Sequence, residues 1–377
     1  MIDLDNAELQ NALQIIQFTR RSLFLTGKAG TGKSTFLRYI AANTNKKHIV
    51  LAPTGIAAIN AGGSTLHSFF KLPFHPLLPN DSMYSVRNIR NTLKYNSEKI
   101  KIIREVELII IDEISMVRAD IIDFIDKVLR VYCRNMREPF GGKQLLLVGD
   151  IYQLEPVVRE DDRRLLNPFY RSSFFFDAKI FQQFQLVSIE LTKVYRQSDP
   201  VFISILDHIR TSQAQTKDLQ LLNQRVGAQL DESDSKLAIT LSTRRDTVDF
   251  INENQLKLLP GEPTLFRGNI QGEFPESSLP TPIELYLKTG AQVIFIKNDI
   301  EHQWVNGTLG TIIGFDDEDD AKIYVRTENG LDVMVEPAAW SNMRYHFNEV
   351  EKKIEEEEIG RYEQYPIRLA WAITVHK

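Results

Sequence analysis

One cysteine, Cys133, stands alone in 377 residues. No disulfide framework can be built within the chain, and a reducing compartment such as the cytoplasm is expected. By itself Cys133 reads as a small apolar residue. No apolar run reaches the length that spans a bilayer, so no membrane association is expected. The start, Met1-Ile2-Asp3-Leu4-Asp5, has neither the basic opening nor the apolar core of a secretion signal. Positive charge is not in excess either. Lys and Arg number 45 against 50 Asp and Glu, a net charge of −5, so any polyanion must be met by a local basic surface. What remains is 43% hydrophobic and 25% charged, the balance of a globular chain long enough for two or three domains.

Glycine is concentrated where it carries chemistry. Gly27-Lys28-Ala29-Gly30-Thr31-Gly32-Lys33-Ser34 follows the apolar run Ser22–Thr26 and precedes the helically spaced Thr35–Ile40. A strand, a glycine-rich turn and a helix in that order form a phosphate-binding loop. Backbone N–H groups of Gly30, Thr31, Gly32, Lys33, Ser34 and Thr35 can close on phosphate oxygens, aided by the positive end of the helix. Lys33 reaches the terminal phosphates, and Ser34 offers Mg²⁺ a hard oxygen ligand. ATP and Mg²⁺ are the expected cofactors.

Val106–Ile111 is a fully apolar strand signal ending in Asp112-Glu113. Parallel sheets place ligands at such carboxyl ends. Asp112 is expected to hold Mg²⁺ together with Ser34, and Glu113 to polarise the attacking water. A third strand signal, Gln144–Val148, delivers Gln153 just beyond its end, where a polar group can sense the terminal phosphate. A fourth, Leu186–Leu191, runs into Thr192–Gln197, and Arg196 is a candidate arginine finger. Gln10, upstream of the loop, is a candidate for reading adenine, with Gln14 and Gln17 as nearby alternatives.

These stretches, with Ala52–Ala58, Thr65–Phe70, Asp112–Val117, Pro139–Gln144, Gly149–Val157, Leu191–Gln197, Leu287–Val293, Asn306–Gly310 and Ala370–Lys377, resemble the petite integration frequency (PIF) family of superfamily 1B DNA helicases, relatives of RecD. The resemblance implies ATP-driven 5′-to-3′ movement along single-stranded DNA and unwinding of duplex, forked and G-quadruplex DNA. It departs at Glu155, where the family often has a second proline. It also departs at Lys377, beyond which the family carries a further phosphate-facing arginine, so a truncated motor with impaired turnover is the alternative expectation. A small-molecule kinase would explain the phosphate loop but neither Arg196 nor the long second half.

The implied fold is α/β: two RecA-like P-loop domains with an inserted wedge subdomain and an SH3-like β-barrel insertion. Residues 1–64 and 102–184 form the first motor domain, with the wedge at 65–101. Residues 185–279 and 365–377 form the second motor domain, incomplete at its end. The β-rich stretch 280–345 is the SH3-like insertion, and 346–364 is an acidic, helix-like insertion. Seven glutamates lie between Glu349 and Glu363, a solvated face on charge alone.

Single-strand binding without sequence preference needs phosphate contacts and ring faces. Thr54, Gly55 and Ser68 offer a hydroxyl or open backbone, and His67 and Phe69 offer rings, although Phe69 or Phe70 is expected in the core. Ser242, Thr243, Thr374, His376 and Lys377 are the matching candidates in the second half. Single-stranded and structured DNA are the expected partners of a monomer, located in the cytoplasm with the nucleoid of a bacterial or phage source.

Overall fold

The computed structural model describes residues 3, 5–73, 75–195, 199–228, 237–301, 303–316, 322–348 and 353–375. The chain divides into two compact units, Met1–Gln220 with Met343–Glu358, and Leu221–Asn342 with Ile359–Lys377.

The first unit is built on a parallel sheet. Its strands are β1 (Leu23–Gly27), β2 (His48–Ala52), β3 (Ser64–Thr65), β4 (Leu108–Ile111), β5 (Gln144–Val148) and β6 (Val187–Leu191), in the spatial order β3-β2-β4-β5-β1-β6. Every neighbouring pair is parallel. β4 and β5 are buried along their whole length, because helices cover both faces. Ile109, Ile111, Leu145 and Leu147 enter one apolar cluster, while Leu108, Ile110, Leu146 and Val148 enter the other. That alternation is the two-residue period of a strand read on both faces.

Helices α1 (Ala7–Phe18) and α2 (Lys33–Asn43) lie over the second cluster through Leu9, Ala12, Ile16, Phe36, Leu37 and Ile40. The Asn6 side chain caps α1 by accepting the Leu9 N–H at 3.0 Å. After β2 and β3 come the short helices α3 (Gly55–Ala61) and α4 (Leu66–Phe70), followed by α5 (Ile89–Leu93) and α6 (Ser97–Glu105). The stretch expected as an inserted excursion shares the first cluster. Phe69, Phe70, Leu72, Leu77, Tyr84, Ile89, Leu93 and Tyr95 pack with Phe124, Val128 and Tyr132 of α7 (Ala119–Cys133). Tyr95 donates its hydroxyl to the Phe70 carbonyl at 2.5 Å, and Asp120 of α7 accepts the Leu77 N–H at 2.9 Å. Helices α8 (Glu160–Leu166) and α9 (Pro200–Arg210) complete the elements used below.

Two expectations change. The strand at 187–191, assigned from sequence to the second motor domain, pairs residue by residue with β1, from Leu23↔Val187 to Gly27↔Leu191. Leu191 is buried in the same core as β1. The acidic run expected to be helix-like is extended instead. Lys353–Gln364 is a strand between Ala338–Asn348 and Asn269–Gly272. Gly360, Tyr362 and Gln364 point inward at every second residue, and the buried Tyr362 hydroxyl donates toward the Thr281 and Pro282 carbonyls, both at 3.0 Å.

In the second unit β7 (Thr240–Ser242) pairs in parallel with Ala372–Thr374. The helix Arg245–Leu258 is tied to that pair by Asn252, which bonds the Ala372 backbone through both amide atoms at 2.9 Å. A five-stranded antiparallel sheet contains Gln292–Phe295, Leu309–Phe315, Ile323–Thr327, Asp332–Val335 and Ile367–Leu369. Its core holds Val293, Phe295, Ile312, Ile323, Val325 and Trp304. Among the described residues no helix is long and apolar enough to cross a membrane.

Candidate functional site

The phosphate loop starts where β1 ends. Gly27 has φ +149, and a Cβ there would lie 2.6 Å from the Leu191 carbonyl oxygen. The neighbouring strand therefore requires glycine at this position. Gly32, with φ +90, opens α2. Lys33 folds back across the loop and donates to the Gly27 carbonyl at 2.5 Å and the Lys28 carbonyl at 2.8 Å. Burial holds its ammonium below the ordinary lysine range, against the opposing pull of Asp150 and Glu113. Thr31 is buried and donates its hydroxyl to the Lys28 carbonyl at 2.9 Å. Ser34 and Thr35 stand exposed in the first turn of α2. Gly30 accepts the Tyr195 N–H at 2.8 Å.

Asp112 and Glu113 follow β4. The Glu113 N–H donates to the Asp112 carboxylate at 3.0 Å. Burial, then the Glu113 charge, pushes Asp112 up to about 6, as expected for a buried acid beside a like charge. Glu113 has φ 49 and ψ 43, the left-handed region that non-glycine residues avoid. The turn it opens, Ile114–Met116, is pressed by the end of β5. A Cβ on Gly149 would come 2.9 Å from Ile114 Cγ2 and 3.1 Å from the Ile114 nitrogen.

Beyond β5, Gln153 is exposed and donates its side-chain amide to Asp150 at 3.1 Å. Asp150 is buried, at 2% exposure. Its other oxygen accepts from Arg210 at 3.1 Å and from the Tyr152 N–H at 3.2 Å. The Arg210 guanidinium lies 4.5 Å from the Tyr152 ring centre and 3.4 Å from Glu190. From the same helix Asp207 pairs with Lys28 of the phosphate loop. Asp150, Arg210, Lys28 and Asp207 were missing from the sequence-derived site. Asp150 stood inside a quoted motif without a role. Arg210 read as an ordinary basic residue in the last turn of a helix.

Lys33, Asp112 and Gln153 thus leave β1, β4 and β5, three neighbours in the sheet, at one carboxyl edge. Arg196 lies outside the described residues. Gln10 is exposed on α1. The start of that helix reaches toward the phosphate loop through Asn6, whose amide lies 3.5 Å from the Tyr195 hydroxyl. The Tyr195 ring sits 3.8 Å from a Cβ built at Gly32.

The candidate DNA residues form two groups. Ala52 and Thr65 are partners across β2 and β3, so Thr54-Gly55 and His67-Ser68 follow neighbouring strands. Thr54 caps α3 by accepting the Ala57 N–H at 3.2 Å, and Gly55 opens that helix. Ser68 is exposed. Burial, then the Arg118 charge, holds His67 below the ordinary imidazole value. Phe69 corrects the expectation, because it is only 2% exposed. Its ring meets Phe70 edge-on with centres 4.9 Å apart, and the Lys99 ammonium lies 3.5 Å from its centre. It supports this face and presents no ring to a base. In the second unit Thr374 pairs with Ser242, and Thr243 is exposed beside them. His376 and Lys377 lie outside the described residues.

Comparison with known proteins gives a consistent result. A model of the PIF1-like helicase family matches residues 5–220. The ATP-dependent DNA helicase PIF1 of Mus musculus is 32% identical over 384 residues, covering 98% of this chain and 54% of its own length. This chain spans about half the length of that curated relative and of its Xenopus laevis counterpart. The crystal structure of Bacteroides Pif1 in complex with ADP-AlF4 is similar over 100% of this chain and 84% of its own, with 39% identity and a TM-score of 0.90. Bacteroides Pif1 bound to ssDNA covers 100% of this chain and 83% of its own at 40% identity, with a TM-score of 0.63.

Proposed function

The chain belongs to the PIF1-like helicase family, and on that premise we propose that it is an ATP-hydrolysing motor that moves 5′-to-3′ on single-stranded DNA and unwinds duplex, forked and G-quadruplex DNA. The observation that carries the reading is the convergence of the phosphate loop, the acid pair and Gln153 on adjacent parallel strands. A nucleotide-binding scaffold needs only the loop. Hydrolysis needs in addition a metal-holding acid, a group that orients water and a sensor.

Gly30, Thr31, Gly32, Lys33, Ser34 and Thr35 bind the phosphates, and Gln10 contacts the base. Among the described residues no three His, Cys, Asp or Glu side chains converge as a metal cage. The Ser34 hydroxyl and the Asp112 carboxylate are nevertheless hard oxygen donors of the kind Mg²⁺ takes alongside substrate phosphates. A cation would also offset the burial and the Glu113 charge that raise Asp112. Bound Mg²⁺ neutralises charge on the transferring phosphoryl group. Glu113 orients the water, Gln153 senses the terminal phosphate, and Arg196 contributes the finger cation.

Thr54, Gly55, His67 and Ser68 make one DNA-contacting group, and Ser242, Thr243, Thr374, His376 and Lys377 the other. Residues 65–101 act as the wedge and 280–345 as an SH3-like insertion. The acting form is a monomer, working in the cytoplasm at the nucleoid.

The test is Glu113→Gln. Binding of a fluorescent ATP analogue should persist while hydrolysis falls by about 10²- to 10⁴-fold. Unchanged hydrolysis would remove Glu113 from the mechanism.

A further inference from the structure

Helix α9 carries one ion pair to each of two loops. Asp207 holds Lys28 of the phosphate loop, and Arg210 holds Asp150 just after β5. The second pair is built more closely. The Arg210 side chain is 14% exposed and Asp150 2%. One Asp150 oxygen receives Arg210 and the Tyr152 N–H. The other receives the Gln153 amide at 3.1 Å. The guanidinium carbon also lies over the Tyr152 ring, 4.5 Å from its centre, and Tyr152 is the residue next to Gln153. Arg210 therefore bears on Gln153 through the carboxylate that its amide bonds, while it also packs on the ring of the preceding residue. A forked, planar cation can make both contacts at once, which a lysine cannot.

We infer that Arg210 is a positioning residue for Gln153: acting through Asp150, it holds the amide in a waiting orientation from which it turns to the terminal phosphate. α9 then registers the state of that phosphate. When Gln153 turns to the phosphate and releases Asp150, the Arg210–Asp150 pair is the contact that must readjust. The inference rests on the sensor role proposed for Gln153. It also distinguishes Arg210 from a residue that serves Lys33, although both Asp150 and Arg210 are near enough to influence that ammonium.

The test is a double-mutant cycle on the full chain, reading kcat and KM for ATP at saturating oligo-dT. Arg210→Ala should lower kcat by about 10²-fold, the scale of an ångström-level misplacement, with KM little changed. Arg210→Lys should recover part of the loss. In a Gln153→Ala background, Arg210→Ala should cost little more. An equal further loss in that background, or a raised KM with kcat intact, would overturn the inference. A silent Gln153→Ala would instead overturn the sensor reading on which it rests. If Arg210→Ala does not fold, judged by its calorimetric transition, Arg210→Gln carries the same cycle, because it keeps a donor while losing the fork and the charge.

Discussion

The left-handed backbone at Glu113 stores strain that can be measured apart from catalysis. A non-glycine residue in that region costs about 1–2 kcal/mol. Glycine is relieved of that cost but loses about 0.5–1 kcal/mol more backbone freedom on folding than alanine. Glu113→Gly and Glu113→Ala remove the same carboxylate, so the charge beside Asp112 cancels between them and only the backbone differs. With φ 49 and ψ 43, the glycine variant should be the more stable by about 1 kcal/mol, or about 2–4 °C in the midpoint of a unit this size. All three tryptophans, Trp304, Trp340 and Trp371, lie in the second unit, so their fluorescence would follow the wrong transition. Scanning calorimetry identifies the right one as the transition that added nucleotide shifts upward. Both variants should fail to hydrolyse ATP. An alanine variant as stable as the glycine variant would refute the strain. The turn would then be an ordinary one, with no cost set against the position of the carboxylate.

Two further outcomes follow from the face carrying His67. Burial, with the Lys71 and Arg344 charges, pushes Lys99 down to about 7 from an ordinary value of 10.5. Between those values the unfolded chain binds the extra proton, so this lysine makes stability rise with pH, by up to about 1.4 kcal/mol per unit. Lys99→Met should flatten the rise in thermal midpoint from pH 7 to pH 9, and an unchanged slope would place the charge in solvent. His67→Ala should weaken oligo-dT binding in fluorescence anisotropy by about 1–3 kcal/mol if the ring meets a base, while Phe69→Leu, which trims a buried ring, should leave the affinity close to wild type. The reverse ranking would mean that Phe69 leaves the core on binding.

The parts of the molecule legible in the sequence are those whose signal is local. The short runs Leu108–Ile111 and Gln144–Val148, bounded by turn signals, read as buried strands, and glycines between a strand and a helix mark the phosphate loop at Gly27–Ser34. The acidic run misled because four consecutive glutamates, Glu355–Glu358, dominate its composition, while the pattern that decides it is the short alternation Gly360, Tyr362, Gln364. Phe69 and Phe70 are adjacent aromatics of a kind that serves either core or bases, and only the packing around α4 and α6 shows both buried. The Arg210–Asp150 contact spans 60 positions. No spacing rule connects a residue at a helix end to a loop that far away, so the ion pair appears only once β1, β5 and β6 are in place.

The proposed function couples ATP hydrolysis by this chain to single-stranded DNA. The most direct measurement is steady-state ATP hydrolysis by residues 1–377 with and without oligo-dT, alongside Lys33→Ala. The oligonucleotide should stimulate hydrolysis strongly in the wild-type chain and not at all in the variant. Tight oligo-dT binding with no hydrolysis above the Lys33→Ala level would contradict that coupling, and would make the chain a binding module that holds nucleotide without turnover.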